Sequence, residues 1–183
     1  DGMAKIKAVR EAVGDDVELL IEAHGRLTPS AAIRIGKALE EIRPFVFEEP
    51  VPPQNVGAMA KVAEAVSIPL STGERLYTKW GFLELLRRHV VAMIQPDIVH
   101  AGGITEVKKI AAMAEAYYVG LQPHSGGPVN TMAGMQICAS IPNFMIQEGG
   151  HSPSFQDVVI GEYPKQRDGY FDVTTGPGIG IEM

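Results

Sequence analysis

Six ionisable residues recur along the chain at nearly constant intervals, each directly after a short apolar run. They are Glu22 after VELLI, Glu48 after FVF, Glu74 after IPLSTG, Asp97 after VAMIQP, His124 after VGLQP and Glu148 after FMIQ, with gaps of 26, 26, 23, 27 and 24 residues. Glu22, Glu48 and Glu74 form a carboxylate series. Three like charges brought together repel and raise one another's pKa. A hard divalent cation removes that conflict, and an all-oxygen donor set without Cys or paired His favours Mg²⁺ over Zn²⁺. Glu49 rivals Glu48 in FEEP; Glu48 is assigned to the metal and Glu49 to its support. Asp97 and His124 supply a second chemistry. A carboxylate beside an imidazole fixes the tautomer and raises its basicity, which makes a general base.

Other groups gather near these positions. His24 follows Glu22 by two residues. On a strand, positions i and i+2 share a face, so His24 is expected to point into the same pocket as a second acid–base group. Arg26 and Arg75 closely follow two of the carboxylates, where they could bind an anionic substrate or brace the acids. Glu148, if protonated, could hydrogen-bond a developing enediolate; ionised, it would accept from a substrate hydroxyl. His89, His100 and His151 lack such placement. His100 is read as lining a loop.

An interval of about 25 residues is one strand, one helix and two loops. The sequence predicts helices over 3–13, from Thr28-Pro29 to Ile42, and over 55–66, 79–88, 104–118 and 129–140. Thr28 is read as an N-cap with proline at the first helical position. Apolar faces follow the helical period: Ala32, Ile35, Leu39 and Ile42; Val56, Met59, Ala60 and Ala63; Ile104, Val107, Ile110 and Ala114. Strands are predicted at 17–22, 45–48, near 68–73, and at 91–95, 119–122 and 144–147. They are continuously apolar, the pattern of parallel strands covered by helices. Alternating βα order gives an α/β fold. In a (β/α)8 barrel the strand C-terminal ends meet at one mouth, where active sites sit, so this spacing could gather all six groups. Six βα units are two short of such a barrel, and the missing ones are expected to precede Asp1. Residues 1–150 are read as a partial barrel and 151–183 as a turn-rich tail.

Composition narrows the function classes. The formal net charge is −6, with no basic tract, so neither nucleic acid nor an anionic membrane is the expected partner. No apolar stretch reaches the ~20 residues of a spanning helix. Cytoplasm is the expected location. Cys138 is the one cysteine and is read as a buried thiol.

The segments IEAHGR, FEEP, TGERL, QPDIVHAGGITE, LQPHSGGP and IQEG, in that order, resemble the mandelate racemase branch of the enolase superfamily. Within that branch they are most similar to galactonate dehydratase-like sugar-acid dehydratases. The resemblance covers about residues 3–150, and the terminal GPGIGIE also fits. It implies a (β/α)7β barrel of the TIM type, of which this sequence holds the C-terminal six units. A capping α+β domain is implied beyond it, against which residues 151–183 are expected to pack. Also implied are Mg²⁺ on Glu22, Glu48 and Glu74, and a His124–Asp97 dyad that abstracts the proton α to a carboxylate. His24 matches the histidine that protonates a departing β-hydroxyl, and Glu148 the acid facing the enediolate. The first metal position is usually Asp in this family; here it is Glu22.

The expected function is Mg²⁺-dependent dehydration of a small sugar acid to a 2-keto-3-deoxy acid, by a protein expected to be a homo-oligomer at full length. A racemase or epimerase could use the same metal site. A catalytically silent fragment is a third reading, because a barrel missing two strands leaves open edges.

Overall fold

The structure is a computed structural model that describes residues 2–149, 157–160 and 163–182. His151 lies outside the described residues. Strands β1 (Leu20–Glu22), β2 (Val46–Glu48), β3 (Leu70–Thr72), β4 (Met93–Ile94) and β5 (Gly120–Leu121) form a sheet in that order. Helix α1 (Gly2–Val13) precedes them, and α2 (Pro29–Leu39), α3 (Val56–Ala65), α4 (Thr78–Arg87), α5 (Ile98–Ala101), α6 (Ile104–Ala116) and α7 (Pro128–Cys138) fall between or after them. This is the α/β alternation of a partial barrel, with a sheet order that follows the sequence order. The chain forms two compact units, Asp1–Thr72 with Glu84–Met93, and Gly73–Leu83 with Ile94–Met183. No helix among the described residues is long and apolar enough to cross a membrane.

In the first unit, β1 and β2 run parallel with Leu20 opposite Val46, Ile21 opposite Phe47 and Glu22 opposite Glu48. β3 continues the pairing, with Glu48 opposite Ser71. Thr28 caps α2 as expected, its hydroxyl accepting from the Ala31 N–H at 3.4 Å. Asn55 caps α3 through the Ala58 N–H at 3.0 Å. α2 buries Ala32, Gly36 and Leu39. α3 buries Met59 and Val62, so its inner face is centred on Val62 rather than Ala63. Phe47, Leu39, Met59, Leu85 and Leu86 are fully buried, each worth about 1.5–3 kcal/mol relative to exposure.

In the second unit, α6 buries Val107, Ile110, Ala111 and Ala114, while Ile104 at its start is exposed. The tail packs on α7: Met132 and Met135 share a core cluster with Val159 and Tyr163, and Phe171, Ile179 and Ile181 pack against it. Apolar residues scattered between glycines and prolines give no period, which is why the tail's docking face was not legible. Cys138 is buried, and burial pushes its thiol pKa up to about 12.

Two expectations change. The sixth strand, 144–147, is not a strand: Phe144 makes one isolated parallel bridge to Leu121. The Leu121 N–H donates to Asn143 O at 2.9 Å and the Met145 N–H to Leu121 O at 3.0 Å. With pairing on one side only among the described residues, the segment does not extend into a ladder. Phe144, Met145 and Ile146 accordingly stay exposed. The second change is the short helix α5, which the sequence hides inside the loop after Asp97.

Gly73 joins β3 to Glu74 with φ +147, and a Cβ there would meet the Gln95 backbone N at 2.8 Å and Phe82 Cε1 at 2.9 Å. Backbone cannot rotate out of the way, so overpacking of about 1–3 kcal/mol is expected for Gly73→Ala. A lower urea midpoint in the intact protein is the predicted outcome; an unchanged midpoint would show that the loop relaxes freely.

Candidate active site

Glu22 and Glu48 are the last residues of β1 and β2 and sit opposite each other in the parallel register. Each offers a carboxylate oxygen, and these lie within 4.8 Å of one another. Glu48 is buried whereas Glu22 is exposed. Two carboxylates this close repel each other, and a cation between them would offset that repulsion. The donors are hard oxygens, so the pair fits an oxygen-seeking divalent ion such as Mg²⁺.

The turns after these two strands are held in unusual backbone conformations. His24 has φ 50 and Glu49 has φ 38, the left-handed region that costs a residue with a Cβ roughly 1–2 kcal/mol. The Ala23 N–H donates to Glu48 O at 3.1 Å and the Gly25 N–H to Glu49 O at 2.8 Å. Glu49 is fully buried, and its Oε1 accepts from the Thr72 hydroxyl at 3.2 Å. The chain leaves the strand at Glu22, so the i, i+2 rule does not apply, and a turn does the positioning instead. The backbone N–H of His24 donates to Glu22 Oε1, and its ring Nδ1 lies 3.9 Å from the same oxygen. Arg26 is exposed, with its backbone N–H bonded to Ala23 O at 3.1 Å.

In the second unit, Asp97 and His124 face each other through a parallel bridge. The His124 N–H donates to Pro96 O at 3.2 Å, and the ring Nδ1 stands 2.7 Å from Asp97 Oδ2. Asp97 also caps α5, its Oδ1 accepting from the His100 N–H at 2.8 Å. Burial pushes the Asp97 pKa up, but the His100 N–H and the His124 ring together outweigh it and hold the carboxyl below its ordinary range. Asp97 is thus a carboxylate, and the bond requires the His124 proton on Nδ1. That leaves the Nε2 lone pair available in the neutral ring. His124 Nε2 lies 3.4 Å from Glu74 Oε2. The Arg75 Nε bonds the other Glu74 oxygen at 3.2 Å, so Arg75 braces this carboxylate. Glu148 Oε2 accepts from the Ser125 N–H at 3.1 Å, which ties it to the residue after His124.

Two residues enter that the motifs left aside. His100, read as lining a loop, directs its ring Nδ1 at Glu74 O, 3.0 Å away; a carbonyl only accepts, so the proton is on Nδ1. Asn130 on α7 is buried and reaches both Asp97 and the His124 backbone. A polar residue in the first turn of a mostly apolar helix (PVNTMAGMQIC) was the available signal. A cleft of about 520 Å³ opens beside Asp97, His100, His124 and Asn130.

The whole chain, residues 1–183, matches the family model described as enolase C-terminal domain-like. This chain belongs to the mandelate racemase/muconate lactonizing enzyme branch of the enolase superfamily. The D-galactonate dehydratase of Variovorax paradoxus is 39% identical over 99% of this chain and 50% of its own length. The D-xylonate dehydratase of Haloferax volcanii is 32% identical over 97% of this chain and 44% of its own length. Among solved structures, an enolase superfamily member from Salmonella Typhimurium superposes with a TM-score of 0.96 at 39% identity, covering all of this chain and 47% of that one. The mandelate racemase/muconate lactonizing enzyme-like protein from Roseovarius sp. TM1035 gives 0.90 at 44% identity, over 99% and 46%. The chain spans about half the length of the curated relatives it matches.

The lowered Asp97 pKa gives a signed pH prediction for this superfamily member. A carboxyl whose folded pKa is depressed stabilises the fold above its unfolded pKa, near about pH 4. That contribution is lost as pH falls through the folded value. Wild type is therefore expected to lose stability below about pH 4 more steeply than Asp97→Asn. Thermal melts from pH 6 to pH 2 check this, and parallel acid limbs would contradict it.

Proposed function

We propose that the intact protein is a Mg²⁺-dependent sugar-acid dehydratase, a carbon–oxygen lyase that converts an aldonic acid to a 2-keto-3-deoxy acid. The observation that supports this reading most is the 2.7 Å bond from His124 Nδ1 to an ionised Asp97. It leaves Nε2 as a base of the right kind for a weakly acidic proton α to a carboxylate. The dehydratase names of the relatives point to the same reaction class.

In this reading Glu22, Glu48 and Glu74 would hold the cation, and Arg75 orients Glu74. When bound, Mg²⁺ would supply Lewis acidity that lowers the barrier to loss of the α-proton. His124 Nε2 takes the proton from C2. His24 gives a proton to the 3-hydroxyl, which leaves as water, and the resulting enol tautomerises to the ketone. Glu148, fixed by the Ser125 N–H, faces the developing charge or a substrate hydroxyl. Arg26 is assigned to the substrate's anionic or hydroxylated end. A homo-oligomer in the cytoplasm accompanies this reading.

His124→Asn is expected to lower kcat by about 100-fold to 10,000-fold, the usual share of a general base, while Mg²⁺ affinity stays unchanged. A screen of acid sugars with Mg²⁺, scored for 2-keto-3-deoxy products, supplies the assay. Unchanged turnover would remove His124 from its role. Epimerised acid without keto product in D₂O would replace dehydration with two-base proton exchange. Glu48→Gln is expected to raise the Mg²⁺ concentration needed for half-maximal activity; an unaltered requirement would reassign the ligand set.

A further inference from the structure

The dyad has a third member. Asn130 stands in the first turn of α7, 4% exposed, and its side-chain amide makes three hydrogen bonds. Nδ2 donates to Asp97 Oδ2 at 2.7 Å and to His124 O at 3.1 Å. Oδ1 accepts from the Ile98 N–H at 3.1 Å. The amide orientation is forced. A carboxylate and a carbonyl can only accept, and a backbone N–H can only donate, so the flipped rotamer would turn all three contacts into mismatches. Both amide hydrogens and one acceptor site are used.

The placement of these bonds matters more than their number. The amide joins the segment after β4, through Ile98 N and Asp97, to the segment after β5, through His124 O. It therefore spans the parallel bridge that sets the two dyad residues side by side. Asp97 Oδ2 is shared: it accepts from the His124 ring and from the Asn130 amide, while Oδ1 is taken by the His100 N–H. Three donors around one buried carboxylate leave it a single orientation. They also make the oxygen facing His124 a poorer proton acceptor, so the shared proton stays on His124 Nδ1. The Gly126 backbone passes close by, a Cβ there lying within 3.5 Å of Asp97 Oδ2 and 3.8 Å of Asn130 Nδ2.

We propose that Asn130 is a positioning residue for the proton-abstracting base, clamping Asp97 and His124 in one geometry and holding His124 in the Nδ1-protonated tautomer. It acts through the dyad. Its catalytic consequence rests on the dehydratase reading; its effect on the tautomer does not.

The test uses the intact protein and two readouts. The first is ¹⁵N–¹H NMR of the His124 ring at one fixed pH, assigned by its loss in His124→Asn. Wild type is expected to show the proton on Nδ1 with a strongly deshielded resonance. In Asn130→Ala that resonance weakens and a mixture of tautomers emerges. The second is steady-state dehydration of the sugar acid that wild type turns over. Asn130→Ala is expected to lose about 10-fold to 100-fold in kcat, as for other partners that orient a reactive group, with KM within about twofold. Asn130→Asp keeps the shape but sets a second carboxylate against Asp97, and is expected to lose more than Ala. A purely space-filling role predicts the reverse order. Wild-type His124 protonated on Nε2 would overturn the proposal even if both variants failed to fold. So would an unchanged tautomer in Asn130→Ala, or an Asp variant milder than Ala. If no sugar acid is turned over, the function fails but the tautomer result still decides the clamp.

Discussion

The parallel register of neighbouring strands is the constraint on which the candidate chemistry depends. β1 and β2 align residue for residue, and the alignment ends with Glu22 opposite Glu48. Further along the chain the same kind of pairing, reduced to one bridge, sets Asp97 beside His124. In each case the backbone decides which side chains meet before the side chains make any bond. A shift of one residue in a strand would turn each carboxylate to the opposite face. Near-equal βα units keep the pairs in step, because strands of two or three residues leave little ladder from which to recover a slip.

Register alone would place like charges together, which burial makes costly. The two units meet that cost differently. Burial pushes the Asp97 pKa up, but the His100 N–H and the His124 imidazole hold it down, and the Asn130 amide adds a third donor to the carboxylate. Glu22 and Glu48 instead bring two hard oxygen donors within 4.8 Å of one another, an approach that suits a cation. One carboxylate is thus built to serve as the fixed partner of a base, and the other pair is suited to a metal. The turn residues His24 and Glu49 sit in left-handed backbone beside that pair, where strain is sustained by cross-strand bonds from Ala23 and Gly25. Such strain is commonly stored at functional sites.

Much of this was legible in the sequence because it depends on local chemistry and period. The Thr28-Pro29 start, the Leu39 and Met59 faces and the apolar strands preceding each ionisable residue follow from capping and burial, which a linear pattern records. Segment 144–147 was misread for the opposite reason. Its four residues are as apolar as any strand, but a strand needs neighbours, and pattern does not count them. His24 was placed near Glu22 by a strand rule, whereas the chain had already turned; the neighbourhood was right and its cause was not.

The chain by itself determined which groups could do chemistry and in what order, because residue type and spacing are properties of the covalent polymer. Membership of the enolase superfamily followed from six such segments in order. Tertiary structure decided which donors converge on which acceptor. Asn130 reaches Asp97 across 33 positions of sequence, Ser125 takes hold of Glu148 from 23 away, and Tyr163 returns from the tail to pack against Met132 and Met135. Hydrogen bonds and packing act over a few ångströms in space, a distance that position in the chain does not encode.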